Sequence, residues 1–490
     1  MKWSTVIDLE SCIGCQACAV ACKAEFNLPL GPGRISVKAI EEGAFPDTIR
    51  RFQVNRCAQC SDAPCVSICP TGALRRRSDG VVSLEADACL GCSACAVACP
   101  LDAISLNVDT GVADKCDLCT HRLDQGLKPA CVVACPTGAI QVGDLDTPDQ
   151  PVAQRIAAGG LRARRPSLNL GAALLYQGAR ERDLEPLGAA RPPGGILQSS
   201  EQGEPAPSRA GAAGLVVAGH ARPPTPWGPR TALLLWTRDI AAGVALVPAL
   251  GVLLGLMPAD HALWRLLTPL LVVLYLSGSL ALAANQVSHP GKLRLLAVRP
   301  NLRSPVTRTA GYSVGLAGVM LIQALSTLIG YPIDELLLLP ALAFSVALPI
   351  DGVLLLRQCR GRSLWTGPLS APRALFGATL AGSAMLLPFA AALGRGLTDG
   401  LAAVMAVSAV GWLPLALGEV LRPHGRPDAR LAAAELRSGA LRGFFIAGTL
   451  LTCTALAAPV LGMLATPLAL AGLLLFEHAW IQAGQTAPQG

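Results

Sequence analysis

Apolar residues follow two regimes along the chain. From residue 231 onwards they come in long runs: 232–257, 264–285, 309–330, 336–356, 374–394 and 401–419. A last run, 443–476, holds 34 residues without a charge. A membrane-crossing helix needs about 20 mostly apolar residues, so each of the first six runs reads as one span. The last run as one helix would be about 51 Å long at ~1.5 Å per residue. That exceeds a ~30 Å hydrocarbon core, so it reads as two helices turning between Pro459 and Pro467. The pattern predicts an all-α polytopic bundle of about eight helices over 226–485. Residues 1–150 lack such runs; short apolar pieces broken by Gly, Pro and Cys predict a compact, loop-rich domain. Between them, 151–225 is rich in Pro, Gly and Ala without a period, which predicts a linker, partly disordered. Its early part, RARRPSLNLGAALLYQG, has the option of docking on the first domain.

Composition sharpens the division. The chain is 52% hydrophobic and 15% charged, with a mean hydropathy of +0.47; soluble domains carry about 25% charge. Of 18 cysteines, sixteen lie between Cys12 and Cys135. Residues 1–150 hold 13 Lys/Arg and 18 Asp/Glu, a balance of −5 against +12 for the remainder. The opening MKWSTVIDLE has neither an apolar run nor a twin-arginine motif. The expectation is therefore a cysteine domain that is not exported, and not a disulfide framework.

The cysteine spacings carry the chemistry. Cys12, Cys15, Cys18 and Cys22 form C-x2-C-x2-C-x3-C, and Cys89, Cys92, Cys95 and Cys99 repeat it. Cys57, Cys60, Cys65 and Cys69 form C-x2-C-x4-C-x3-C; Cys116, Cys119, Cys131 and Cys135 form C-x2-C-x11-C-x3-C. SCIGCQACAVACK (11–23) matches ACLGCSACAVACP (88–100), and APCVSICPTGAL (63–74) matches PACVVACPTGAI (129–140), so a duplicated unit is expected. Three close thiolates wrap three irons of a cubane, and the fourth comes from another run, often before Pro. Cys69, Cys99 and Cys135 precede Pro; Cys22 precedes Lys23. Structural zinc uses paired C-x2-C knuckles, often with His, and only His121 lies nearby. Sixteen thiolates fit four 4Fe–4S clusters with none left over.

With all sixteen cysteines in place, residues 1–148 resemble the four-cluster electron-transfer subunits of the dimethyl sulfoxide reductase and polysulfide reductase families. The resemblance implies an α+β dicluster-ferredoxin-like repeat domain acting as a wire. It also implies a ligand exchange. Cys12, Cys15 and Cys18 would take Cys135, while Cys116, Cys119 and Cys131 would take Cys22. Cys57, Cys60 and Cys65 would take Cys99, while Cys89, Cys92 and Cys95 would take Cys69. Further on, LLLWTRDIAAG (233–243), HPGKLRLLAVRPNLRSPVTR (289–308) and GRSLWTGPL (361–369) resemble the NrfD-like membrane anchor of the polysulfide reductase type, here fused to the cysteine domain.

Charge bears on orientation. With eight spans, loops on the N-terminal side hold 14 basic residues and the opposite loops hold 2, Arg265 and Arg395. Basic loops stay cytoplasmic, which predicts an inner-membrane protein with the cysteine domain on the cytoplasmic side. A rival reason for those basic loops is docking of an acidic domain. Ionisable residues within spans cost at least about 2.5–3.5 kcal/mol each. Arg238, Asp239 and Asp351 are candidates for a quinone or proton site, set against a plain structural pairing of Arg238 with an acid. Glu419, Glu477 and His478 lie at span ends on the same side, and Gln286 and Gln323 add polar atoms. No pair of membrane histidines stands at opposed depths, so haem is not expected. His289 reads as solvated or phosphate-facing, Cys359 and Cys453 as packing residues, and Arg75 to Arg77 as a solvated or docking run unrelated to nucleic acid.

These features point to an electron-transfer and quinone-interacting membrane-anchor subunit of a respiratory oxidoreductase. No catalytic residue is assigned on this chain; the resemblance places substrate chemistry on a molybdopterin-type partner. The partners are that subunit, membrane lipid and quinone. An alternative is a redox-driven proton-translocating module, which a continuous polar path through the spans would favour; only Asp351 and Gln323 approach one. A transporter carrying a structural zinc domain is a third class, opposed by the cysteine spacing.

Overall fold

Short strands, rather than large apolar side chains, organise the cysteine-rich part. The computed structural model describes residues 2–31, 33–44, 46–185, 196–200, 216–217, 227–393 and 395–486. Strand Trp3–Asp8 lies at the centre of a three-stranded sheet, antiparallel to Ile140–Asp144 and parallel to Leu174–Gln177. A long hairpin, Ile35–Ala44 with Asp47–Arg56, is extended by Ile196–Ser200. Helices Pro64–Ile68 and Ala94–Ala98 each precede a two-stranded hairpin, Leu74–Arg76 with Val82–Leu84 and Ile104–Leu106 with Ala113–Lys115. The matching sequence segments share backbone conformation. Gly14 and Gly91 have φ of 70° and 71°, and Gln16 and Ser93 have 62° and 60°. A left-handed residue is accessible to Gly at little cost, and at Gly91 even a Cβ would strike the Gly111 carbonyl.

The segment expected as a linker from residue 151 is folded through its first part. Helix Pro151–Ala158 packs beside Ile140–Asp144, and Leu174–Gln177 completes the sheet. Tyr176 is fully buried and donates its hydroxyl to the Val54 carbonyl at 2.8 Å. The cysteine domain therefore runs past residue 150. LLYQ is too short to stand out among Gly and Pro; an existing strand edge gives it backbone partners. Of the rest of the expected linker, 186–195, 201–215 and 218–225 lie outside the described residues.

Among the described residues, seven helical stretches are long and apolar enough to cross a membrane: Pro229–Leu253, Leu263–Ala284, Pro305–Ile329, Asp334–Arg357, Ser370–Ala390, Gly396–Leu421 and Arg442–Gly484. The last is a helical hairpin. Helix Arg442–Cys453 continues through short turns, reverses around Gly462 and returns as Ala465–Gly484. Its arms are antiparallel and close: a Cβ on Gly448 would meet the Phe476 nitrogen at 2.7 Å, and one on Gly472 would meet the Thr452 nitrogen at 2.5 Å. Outward-facing apolar side chains such as Leu274, Val314, Leu328, Leu339 and Val407 remain exposed, as lipid contact requires.

Small residues set the crossings. Gly243 of the 229–253 helix sits against the backbone of Ala378 and Gly382, so any side chain there drives the two helices apart. Gly243→Leu is expected to cost at least about 1–3 kcal/mol by overpacking and to lower the thermal midpoint in detergent. Gly318→Leu, where a Cβ meets nothing within 4 Å, should leave the midpoint near wild type. Equal behaviour of the two variants would refute the crossing.

Candidate functional site

Burial and mutual proximity sort the cysteines into fours. Cys18 lies within electrostatic reach of Cys131, Cys12 and Cys135, and Cys12 of Cys135 and Cys15. Cys22 faces Cys116, Cys119 and Cys131. Cys65 faces Cys57, Cys99 and Cys60, and a cavity is lined by those same four residues. Cys95 faces Cys92, Cys69 and Cys89. Each four joins three cysteines of one run to one of another. Cross-group neighbours give an order: Cys18 beside Cys131 links the first group to the second, and Cys95 beside Cys65 links the third to the fourth. Burial pushes the Cys18, Cys60 and Cys92 thiols up to about 12 and Cys99 to about 11. Burial thus disfavours the thiolate form, and a cationic body among the cysteines would favour it.

Two buried cations stand among these thiols, and spacing rules alone do not reveal them. The Arg56 guanidinium donates to Cys131 Sγ at 3.5 Å and to Thr5 Oγ1 at 3.1 Å. Lys115 Nζ donates to the carbonyls of Val82 and Cys116. The available signal was local: each precedes the first cysteine of a run.

The fourth group is seated on the membrane helices. Asn301 Nδ2 donates to the Cys69 carbonyl at 2.8 Å, Thr307 Oγ1 to Pro70 at 2.9 Å, and Ser304 Oγ to Ile68 at 2.5 Å. His289 donates its backbone N–H to Leu90 at 3.1 Å and sets Nε2 2.9 Å from the Thr110 carbonyl. It docks the two bodies and does not face solvent alone. Arg362 Nε donates to Val97 at 3.1 Å, while Arg360 pairs with Asp62 at 2.5 Å and Arg299 with Glu85 at 2.9 Å. The basic loops therefore contribute to docking. Arg75 and Arg77 form surface ion pairs with Glu85 and with Asp124.

Inside the bundle, a cavity of about 50 Å³ opens between five helices, with Arg238, Asp239, Arg373, Glu477, Trp236 and Trp412 in its wall. That volume holds roughly three or four waters at ~10–15 Å³ each. Glu477 lies seven residues from Gly484, whose carbonyl accepts from Arg362, so it sits about 10 Å below the interface at ~1.5 Å per residue. Gly352 makes room for Arg238, since a Cβ there would strike its guanidinium. Asp239 Oδ1 and Arg238 Nε are buried without hydrogen-bond partners. Their charged ends stand 4.0 Å apart.

The structure separates the three membrane candidates. Arg238 and Asp239 share the cavity; Asp351 does not line it. Asp351 accepts from Arg308 at 2.8 and 3.0 Å and from Thr309 Oγ1 at 2.7 Å. Arg373, counted from sequence only as loop charge, is buried, donates to Glu419 at 2.9 Å and lies 3.7 Å from Glu477. Its guanidinium also stacks over Phe476 and Trp480. Nothing in the sequence placed Arg373 opposite Glu477, because the pair joins separate helices. Gln323 donates to the Trp264 carbonyl at 2.9 Å, and His478 meets Phe444 edge-on.

Residues 49–145 match the family described as a 4Fe-4S dicluster domain, and residues 3–24 match a 4Fe-4S binding domain. The thiosulfate reductase electron transfer subunit PhsB of Salmonella typhi is 46% identical over 142 residues, 28% of this chain and 74% of that protein. The arsenate respiratory reductase iron-sulfur subunit ArrB of a Shewanella species is 33% identical over 224 residues, 36% of this chain and 96% of that protein. Protein NrfC of Escherichia coli is 41% identical over 157 residues, 31% and 70% of the two chains. Through its cysteine domain, followed here by apolar helices, this protein belongs to the family of iron–sulfur electron-transfer subunits of reductases.

Proposed function

We propose that the chain is the electron-transfer and quinone-linked membrane subunit of a respiratory oxidoreductase, an NrfD-type anchor fused to a four-cluster relay. The carrying observation is the seating of the fourth cysteine group on the bundle, by Asn301, Ser304 and Thr307, on the side where the Arg238–Asp239–Arg373–Glu477 cavity lies. The residues that would hold the four clusters are Cys12, Cys15, Cys18 and Cys135; Cys22, Cys116, Cys119 and Cys131; Cys57, Cys60, Cys65 and Cys99; and Cys69, Cys89, Cys92 and Cys95. Bound there, the clusters supply single-electron transfer without a proton.

A quinol sheds protons as it gives up electrons, and this chain's residues supply acceptors for them. Asp239 Oδ1, buried without a hydrogen bond and 4.0 Å from Arg238 Nε, accepts a proton, and Glu477 lines the same cavity as the next acceptor. Arg373 holds Glu477 and Glu419 in place. The cavity is water-sized, so it serves the proton end of the reaction while the ring lies against its wall. At the opposite end of the relay, Cys15 is exposed among Ile13, Val20 and Val133, which are 60 to 65% exposed. That apolar rim suits a catalytic partner, proposed to be of molybdopterin type. The 229–253 helix begins, and the 465–484 helix ends, at the docking face, where Gln485 bonds the Trp227 backbone. Both ends on one face support an even count, eight crossings.

Purified anaerobically, the chain should carry about 16 iron atoms, on four cubanes. Cys57→Ser and Cys99→Ser should alter one EPR species, and Cys92→Ser and Cys69→Ser a different one; effects that follow the linear runs instead would overturn the exchanged ligand sets. Added quinol should reduce the clusters in membranes, and Asp239→Asn should slow this about a hundredfold. Clusters indifferent to quinol would end the quinone assignment. Orientation is proposed as cytoplasmic for the cysteine domain, resting on the basic residues of those loops beyond Lys292, Arg299, Arg360 and Arg362, which dock. A reporter fused to the C-terminus should be active in the cytoplasm; periplasmic activity reverses the assignment.

A further inference from the structure

We infer that Arg56 and Lys115 are fixed positive charges that raise the reduction potentials of the two middle clusters. This rests on the reading of the four cysteine groups as 4Fe–4S sites. The two residues are 1% and 3% exposed. An uncompensated buried charge costs several kcal/mol. Among the described residues no carboxylate bonds either one: Arg56 meets Thr5 Oγ1 and Cys131 Sγ, and Lys115 meets two backbone carbonyls. The electrostatic neighbours that act most strongly on them are cysteines. Arg56 faces Cys116, Cys131, Cys57 and Cys119, and Lys115 faces Cys57, Cys65 and Cys116, with Asp117 also within electrostatic reach. Those cysteines belong to the second and third groups. Both cations therefore stand at the junction where the relay passes from one to the other.

The outer groups are furnished differently. Among the groups that act most strongly on Cys12 the one other than cysteine is Asp8, and those that act most strongly on Cys95 are cysteines. A further arginine, Arg34, approaches Cys22 of the second group, but it is paired with Asp114 at 2.7 Å and reaches Asp117 at 3.4 Å. The middle cations are held rigidly. Gln59, itself buried, donates to the Cys116 carbonyl at 2.8 Å and accepts from the Val82 N–H at 2.8 Å. It thus fixes both residues whose carbonyls receive Lys115.

An electron arriving at a middle site brings a negative charge and no proton. Arg56 and Lys115 stabilise that charge in a dry, low-dielectric junction, where a unit charge favours the reduced form tenfold or more. They are positioning residues for electron transfer, with no bond made or broken at either.

The test is an EPR-monitored redox titration of the purified full chain, with iron and sulfide assayed first. Arg56→Met and Lys115→Met keep side-chain length and remove charge. In each, two of the four potentials should fall by about tenfold in the reduction equilibrium, about 59 mV for one electron. The other two should hold, and Arg56→Lys should stay close to wild type. Potentials unmoved in both Met variants, an equal shift of all four, or Arg56→Lys matching Arg56→Met each overturn the inference. Should Arg56→Met lose iron, Lys115→Met decides, since Lys115 bonds only carbonyls. A wild-type chain without iron and sulfide overturns the relay together with this inference; a loaded chain with unresponsive potentials overturns the inference alone.

Discussion

A thiolate cannot be buried in a small domain without a positive partner, and the N-terminal body is organised around that constraint. Cysteines are part of its core: Cys18, Cys22 and Cys131 pack with Ile7, Val37, Val54 and Ile140. Burial raises these thiols, which favours the neutral form until something cationic occupies the space between them. Folding and metal uptake are therefore coupled in such a domain. The strands are short because their task is to fix loop geometry. Left-handed positions at Gly14, Gln16, Gly91 and Ser93 turn the two matching cysteine runs, 12–22 and 89–99, at the same points.

The same constraint reaches the membrane. The fourth group sits where the chain leaves water, and its backbone carbonyls at Ile68, Cys69 and Pro70 accept from Ser304, Asn301 and Thr307. Polar groups that would otherwise be stranded at an apolar boundary find each other across the two bodies. Trp227 and Trp365 stack at 6.0 Å beside this contact, and Trp365 Nε1 donates to the Trp480 carbonyl. Below it, buried charges are arranged in two ways. Asp351 has both oxygens bonded, by Arg308 and Thr309, and Glu419 has one, by Arg373, the kind of pairing that lets buried ions persist. Asp239 Oδ1 has no hydrogen bond and stands 4.0 Å from Arg238 Nε, beside the cavity that Glu477 also lines.

Arg238, Asp239 and Asp351 looked equivalent in the sequence, as ionisable residues in apolar runs. Helix positions set them on neighbouring helices, but which carboxylate meets which cation depends on rotation and crossing. Gly352 admits the Arg238 side chain, and Arg308 reaches Asp351 from a third helix. Similarly, 151–185 carried too little periodicity to announce a strand; Leu174–Gln177 becomes one because the Trp3–Asp8 edge is free to receive it.

Linear pattern was enough for the chemistry and for the division of the chain into two bodies. Cysteine spacing is a local constraint, fixed by the size of the group that three close thiolates embrace, and hydropathy is a local property set by the thickness of a bilayer. Contacts between distant segments came only with the folded molecule: the order of the four cysteine groups, the place of Arg56 and Lys115 between two of them, and the meeting of Arg373 with Glu477. Those depend on how separate elements cross, and crossing is governed by packing at positions such as Gly243 and Gly382, whose effect appears only when two helices are brought together.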